Sequence, residues 1–233
     1  MGPILFTLYV SRLFNIISQH LPSVHGYADD TQLYLSFRPC SIHSEINAVS
    51  VIEKCIADVH SWFIANRLMI SDAKADFLII GTRQQLEKTS IESIIIGDTV
   101  IKPLESVRNL GPWFDAHMRM NVHIGKICCK AFRGLYNIRQ IRKFLTVQST
   151  KTLTHAFASS HLDYCNTLLF GLPKYQLDRL QKVQNVAARV TFQIAKFDHI
   201  TPALVDLHWL PVTFRVQSKI APFCLQVTTQ PKS

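Results

Sequence analysis

Two adjacent carboxylates, Asp29 and Asp30, interrupt a stretch that has the alternating pattern of short β-strands. Neighbouring strand residues point to opposite faces, but a tight turn brings both side chains toward one side. Two carboxylates in one place repel each other, and a divalent cation removes that cost. Mg²⁺ prefers oxygen ligands and binds through few carboxylates, several waters and substrate phosphates. The pair predicts a Mg²⁺ site or, as the alternative, a solvated Asp-Asp turn.

Basic residues are concentrated in the stretch 116–162, which contains no Asp or Glu, whereas the whole chain has 25 Lys and Arg against 16 Asp and Glu. Apolar residues between Met120 and Leu145 recur at intervals of three and four, which predicts a long amphipathic helix from about residue 120. Basic residues flank this apolar stripe, with Arg119, Lys126, Lys130 and Arg133 on one side and Arg139 and Lys143 on the other. Such a helix would bind phosphate backbones without reading sequence, unless its charges are simply a solvated face.

Helices and strands on either side must position the carboxylate pair. Pro3 predicts the start of a first helix, expected to be almost wholly buried and to end at Pro22. Residues 24–37 are expected to form two short strands around the carboxylates. Ser44 is expected to cap a second helix, whose apolar stripe runs from Ile46 to Phe63.

The rest of the chain changes character near residue 115. The β-branched runs 75–81 and 91–97 predict strands, and 106–115 predicts a strand or hairpin. Beyond it, helices are expected over roughly 147–170 and 175–193, separated by a Gly-Leu-Pro segment. The sequence therefore predicts an α+β fold, with a mixed part at 1–115 and a mainly helical part at 116–233.

The N-terminal residues and the cysteine spacing predict where in the cell the protein resides. The apolar residues 1–21 include Arg12, and they have neither the length of a membrane span nor the flanks of a signal peptide. The six cysteines have no zinc-finger or CxxC spacing, which predicts reduced thiols. An intracellular protein of the nucleus or cytoplasm is expected, with no membrane partner.

Four motifs follow one another along the first half of the chain: MGPILFTLYVSRLFNII, HGYADDTQLYLSF, NRLMISDAKADFLIIG and VRNLGPWFD. In this order they closely resemble the reverse transcriptases of non-LTR retrotransposons of the LINE, jockey-like type. The later segments SSHLDYCNTLLFGLPKYQLDRLQKVQNVAARV and ITPALVDLHWLPVTFRV resemble the region that follows the polymerase palm in these elements. The resemblance covers almost the whole chain. It implies part of a palm at 1–115, then a helical thumb and connector region at 116–233.

The resemblance also implies roles for individual residues. Asp29 and Asp30 would be two of the polymerase carboxylates that hold Mg²⁺, and Tyr27 would lie beside the primer terminus. Lys74 would approach the phosphates of the incoming deoxynucleotide, with a surface lysine as the alternative. The implied partners are an RNA template, a DNA primer and a deoxynucleotide substrate.

This sequence departs from the family's pattern at several positions. The family's third palm carboxylate and its fingers precede the Gly-Pro-Ile-Leu-Phe segment, so a truncated and inactive polymerase is expected. Met1, Arg12, Ala75 and Pro112 stand where the family usually has leucine, proline, threonine and an apolar residue. The alternatives are a basic nucleic-acid-binding remnant without catalysis, and the product of a decayed element with no role.

Overall fold

A computed structural model describes residues 2–39, 41–69 and 71–229 of the 233-residue chain. Its α-helices and two-stranded sheets together make a broadly α+β chain. The strands are β1 Ser23–Tyr27, β2 Asp30–Tyr34, β3 Ile94–Ile96, β4 Thr99–Ile101, β5 Ser106–Arg108 and β6 Trp113–Asp115. The helices are α1 Gly2–Ser18, α2 Ile42–Ala65, α3 Arg83–Leu86, α4 Asn121–Ile141, α5 Val147–Thr154, α6 Ser160–Asp163, α7 Lys174–Phe192, α8 Thr201–Asp206 and α9 Val212–Thr229.

The chain divides into two compact units of opposite charge. The first unit comprises residues 1–107 and 115–118, and the second comprises 108–114 and 119–233. Eight Lys and Arg against twelve Asp and Glu give the first unit a formal charge of −4. Seventeen against four give the second unit +13, so the whole excess of positive charge lies there. The sequence predicted a boundary at 115, and the units separate within the segment 107–119.

In the first unit α1 packs on α2 over an apolar core. The core is formed by Val10, Leu13, Ile17, Leu21, Cys55 and Val59. The predicted burial of nearly all of α1 is wrong, because Ile4, Leu5 and Leu8 are 60–70% exposed. A helix that packs on a single neighbouring helix buries only one of its faces. The apolar composition of α1 therefore did not reveal which face is covered. No helix in the described part of the chain is both long and apolar enough to cross a membrane.

The second helix begins and packs differently from the expectation. Its cap is Ser41, whose side chain accepts a hydrogen bond from the Ser44 N–H at 3.3 Å, so Ser44 lies inside the first turn. The buried face runs through Ala48, Cys55 and Val59, whereas Ile46 is 63% exposed. Neighbouring residues on a helix point about 100° apart, so an error of one position selects a different face. The helical spacing of the predicted stripe was therefore right, but the stripe coincides only in part with the buried face.

Residues 75–81 were predicted to form a strand but lie outside all sheets of the structure. The segment is held by single backbone bonds: Leu104 N–H donates to the Phe77 carbonyl at 2.8 Å, and Gly81 N–H donates to the Ala116 carbonyl at 3.0 Å. The apolar run predicted extended backbone, but a strand also needs a ladder partner. The other strand predictions are confirmed at 94–96 and as a hairpin over 106–115.

In the second unit α4 packs along α7. Ile124, Ile127, Ala131 and Leu135 of α4 share one core with residues of α7 that include Leu180, Val183 and Ala187. The predicted long helix from residue 120 is therefore confirmed, with its apolar stripe buried. The predicted helix at 147–170 is broken into α5, a π-helical turn at His155–Ser159, α6 and a 3₁₀ turn at Asn166–Leu169.

Gly134 of α4 packs directly on the π-helical turn. A Cβ at this position would lie 2.9 Å from Cβ of Phe157 and 3.0 Å from its carbonyl oxygen. We expect Gly134→Ala to lower the free energy of unfolding by about 1–3 kcal/mol through overpacking. That cost exceeds the gain of about 1 kcal/mol in helix propensity. Urea unfolding measures the difference.

Gly125 in the same helix supplies the matched control. The nearest atom to a Cβ there is the Arg179 Nη2 at 3.8 Å, an ordinary contact. Gly125→Ala is therefore expected to leave stability unchanged or to raise it. Equal stability of the two alanine variants would contradict the close packing at Gly134.

Candidate functional site

The carboxylate pair lies on the β1–β2 hairpin of the first unit. The antiparallel register places Tyr27 opposite Asp30 and Val24 opposite Leu33, so Ala28 and Asp29 form the turn. The predicted pair of strands around the two acids is confirmed. Ala28 has φ of +55°, a left-handed conformation that costs a residue with a Cβ roughly 1–2 kcal/mol. Strain of this kind is frequent at functional turns.

Close packing on α1 fixes the hairpin. A Cβ on Gly26 would lie 2.5 Å from Cζ of Phe14, so the missing side chain lets the Phe14 ring lie against β1. Val24 and Leu33, which are paired across the hairpin, pack on the core of the first unit. The glycine of the His-Gly-Tyr-Ala-Asp-Asp segment therefore has a packing role that positions the carboxylates.

Both carboxylates of the pair are exposed, and Tyr27 is 67% exposed. No group of three or more His, Cys, Asp or Glu side chains in the described residues could hold a metal ion. Two adjacent carboxylates alone still fit a Mg²⁺ ion that keeps most of its waters. Their exposure also fits the alternative of a solvated Asp-Asp turn.

Lys74 lies at the end of the 3₁₀ turn Asp72–Lys74 and is exposed. Within the described residues, no hydrogen bond or ion pair joins it to Asp29 or Asp30. The side chain is free to extend into solvent, which both the proposed contact with a nucleotide and a plain surface lysine require. Met1, the first residue of the resembling segment, lies outside the described residues.

The predicted basic residues are all exposed in the second unit, but they do not form one row. Lys126, Lys130 and Arg133 lie within about 60° around α4, on one flank of its buried stripe. Arg139 is about 140° away from Lys126 around the same helix. Arg119 precedes the helix, and Lys143 follows it in the 3₁₀ turn Arg142–Phe144.

The cluster Lys126, Lys130 and Arg133, called the basic face below, has no carboxylate partner among the described residues. The Lys126 ammonium lies over the Trp113 ring instead, 5.2 Å from its centroid. Unpaired cations on one helix face leave their charge available to an external anion. The basic face is therefore an exposed patch of positive charge.

Arg142 lies in the same basic stretch but is used inside the fold. Its guanidinium donates hydrogen bonds to the carbonyls of Val190, Thr191 and Leu145 at 3.0, 2.7 and 2.8 Å. It thus ties the end of α4 to the C-terminal turn of α7. Charge counting did not separate this arginine from its exposed neighbours, because the sequence does not show which carbonyls lie nearby.

A cavity of about 80 Å³ beside the basic face was not predicted from the sequence. Residues of α4, β6 and α6 line it, among them Lys126, Lys130, Trp113, His123 and His161. Burial lowers the pKa of His123. Burial and the charge of Lys130 both lower the pKa of His161. The only sequence signal for it was His123, which precedes Lys126 and Lys130 in the same helical pattern, whereas His161 is distant in sequence.

The cysteines whose thiols are described are free, and two are buried. They are Cys55, Cys128, Cys129 and Cys165, of which the first two are buried. Burial raises the pKa of the Cys55 and Cys128 thiols, which keeps them protonated. Cys40 lies outside the described residues.

No protein-family model matches the chain, and comparisons with curated proteins and with solved structures find no match. The resemblance to reverse transcriptases therefore stays a prediction from the motifs, and so does the division into palm and thumb. The β1–β2 hairpin and the basic face are the two structural features from which a function is argued below.

Proposed function

We propose that the chain is part of an RNA-directed DNA polymerase of the LINE type, with an RNA template, a DNA primer and deoxynucleotides as partners. The observation that carries the proposal is the β1–β2 hairpin, where Asp29 and Asp30 follow Tyr27 across a strained turn. The ordered motifs of the sequence add support, and so does the separate basic face on α4.

In this proposal the hairpin residues act on metal and substrate. Asp29 and Asp30 hold Mg²⁺ through carboxylate oxygens, and Tyr27 presents its exposed ring beside the primer end. Lys74 extends toward the nucleotide phosphates. A Mg²⁺ ion held there would supply charge neutralisation at the phosphates and would lower the pKa of the attacking hydroxyl. Among the described residues no third acidic side chain joins this pair, so the isolated chain is expected to bind metal weakly and not to polymerise.

Metal binding tests the hairpin directly. Mn²⁺, a paramagnetic stand-in for Mg²⁺, is expected to broaden the amide NMR signals of residues 27–31 selectively. The broadening is expected to vanish in Asp29→Asn/Asp30→Asn, because neutral amides attract a hard cation far less. Asp58→Asn, an exposed acid of α2, is the matched control. Broadening that is uniform over all exposed acids would contradict a metal site.

A primer-extension assay with Mg²⁺ and a template–primer is expected to give no incorporation. A two-metal mechanism depends on positioning and charge neutralisation that one carboxylate pair does not supply. Incorporation that disappears in Asp29→Ala would contradict the expected inactivity and would strengthen the polymerase assignment.

The second candidate function is nucleic-acid binding without catalysis. It is favoured by the formal charge of +13 in the second unit and by the exposed, unpaired basic face. Such binding needs no metal and weakens steeply with salt. Duplex binding in the presence of a chelator, unchanged by Asp29→Asn/Asp30→Asn, would favour this function over the polymerase.

A further inference from the structure

The cavity beside the basic face is lined by cations and neutral groups and by no carboxylate. Lys126 and Lys130, one turn apart on α4, form one wall, and His123 and His161 contribute two imidazoles. Two ammonium groups and two imidazoles around one space make it favourable for an anion. Its volume of about 80 Å³ corresponds to roughly two or three waters of liquid, which suits one small anionic group and excludes a nucleoside.

His123 gives the cavity an unused hydrogen-bonding atom. The residue is 4% exposed, and its Nε2 has no hydrogen-bond partner in the described part of the chain. A buried polar atom without a partner is unfavourable and is uncommon in folded proteins. An acceptor oxygen in the adjoining cavity would satisfy this nitrogen.

A hydrogen bond and close packing hold the opposite wall of the cavity in place. The Tyr164 hydroxyl donates to the Leu110 carbonyl at 2.6 Å, which fixes the turn between β5 and β6. Gly111 in this turn has φ of +112°, and a Cβ there would lie 2.6 Å from the Tyr164 ring. Glycine is therefore required where the turn meets the tyrosine, and the cavity is preformed.

We propose that this cavity binds one phosphate group, held by the ammonium groups of Lys126 and Lys130 and by Nε2 of His123. All four oxygens of a phosphate accept hydrogen bonds, and charge-assisted bonds from lysine and histidine are the strong ones. The proposal rests on the proposed nucleic-acid binding for the source of the phosphate, which is a terminal or backbone phosphate. Free inorganic phosphate has the same chemistry, and the experiment separates the sources.

Binding of a dianion is coupled to proton uptake. In the empty cavity burial lowers the pKa of His123, and burial together with Lys130 lowers that of His161. A bound dianion favours the imidazolium forms and raises both pKa values. The other titratable or charged groups that line the cavity are Lys126, Lys130 and Tyr164. Affinity therefore rises as the pH falls.

The test uses sulfate as the probe with the full chain, because the charge of sulfate stays constant near neutral pH. Sulfate is expected to shift the ring NMR signals of His123 and to bind about tenfold more tightly at about pH 5.5 than at about pH 8, the effect of one unit of pKa change. His123→Phe is expected to reduce this pH dependence to the part that His161 contributes. His199→Gln, an exposed histidine of the same unit outside the cavity, is expected to preserve it.

Lys130→Gln is the second variant. Because Lys130 is exposed, its replacement leaves the core undisturbed, and we expect weaker sulfate binding at every pH. Sulfate binding that leaves the His123 signals unchanged, or that survives both variants, overturns the proposal.

Duplexes with and without a 5′-phosphate are compared by titration, and tighter binding of the phosphorylated duplex identifies a terminal phosphate.

Failure of the two proposals gives different results. Duplex binding without a sulfate response at His123 overturns the phosphate cavity and leaves the proposed function intact. A sulfate response at His123 without duplex binding contradicts the nucleic-acid role and assigns the cavity to free phosphate.

Discussion

The triple variant Lys126→Gln/Lys130→Gln/Arg133→Gln is expected to bind a DNA or RNA–DNA duplex roughly 100-fold more weakly than the parent chain at low salt. Each lysine or arginine that neutralises a phosphate contributes about 0.9 to the slope of log K against log salt. Loss of three contacts is therefore expected to reduce that slope by about 3. Fluorescence anisotropy of a labelled duplex over a salt series measures both quantities.

A matched variant separates the basic face from overall charge. Lys54, Lys88 and Lys102 are exposed lysines of the first unit, and replacing them with glutamine removes the same three charges. This variant is expected to lose less than about fivefold in affinity, because diffuse charge contributes mainly by long-range attraction that salt screens. If the two triple variants weaken binding equally, no defined surface exists.

A second triple variant tests the other predicted basic residues. None of these residues lies on the basic face: Arg119 precedes α4, Arg139 lies on another side of α4, and Lys143 follows it. Their replacement by glutamine is expected to have a smaller effect than loss of the basic face, since a straight duplex does not contact opposite sides of one helix at once. A larger effect would place the nucleic acid on the other side of α4.

Replacing Arg142 with alanine is expected to lower the free energy of unfolding of the second unit by about 2–4 kcal/mol. Three carbonyls lose a charged donor, and one hydrogen bond to a charged group contributes about 1.5–3 kcal/mol, whereas water replaces part of the bonds at the half-buried Leu145 and Val190. The Thr191 carbonyl belongs to a fully buried residue, so solvent replaces the lost bond poorly. Urea unfolding followed by tryptophan fluorescence in a Trp62→Phe background reports on the second unit.

Arg139→Ala is the control for the same loss of charge. Arg139 is exposed on the same helix and forms no ion pair among the described residues, so a change within about 0.5 kcal/mol is expected. Equal destabilisation by both changes would show that α4 depends on helix charge and not on the Arg142 bonds. Duplex binding by Arg142→Ala, measured below its unfolding transition, is expected to stay near that of the parent.

Local patterns predicted the elements that carry the candidate site. The strand alternation around Asp29 and Asp30 predicted the hairpin, and the spacing of apolar residues predicted α4. Both depend on residues close in sequence. The exposed half of α1, the unpaired segment 75–81 and the bonds of Arg142 depend on distant partners, which hydrophobic periodicity does not reveal. The cavity at His123 likewise arises where β6, α4 and α6 meet.

The charge difference between the two units has a consequence for handling the protein. At its isoelectric point, about pH 9.4, the chain is an ampholyte whose charges cancel in sum but not locally. Adsorption to a cation-exchange or heparin resin responds to the strongest local field rather than to the total. The protein is therefore expected to stay on such a column at zero overall charge, and to carry host polyanions through purification until concentrated salt displaces them.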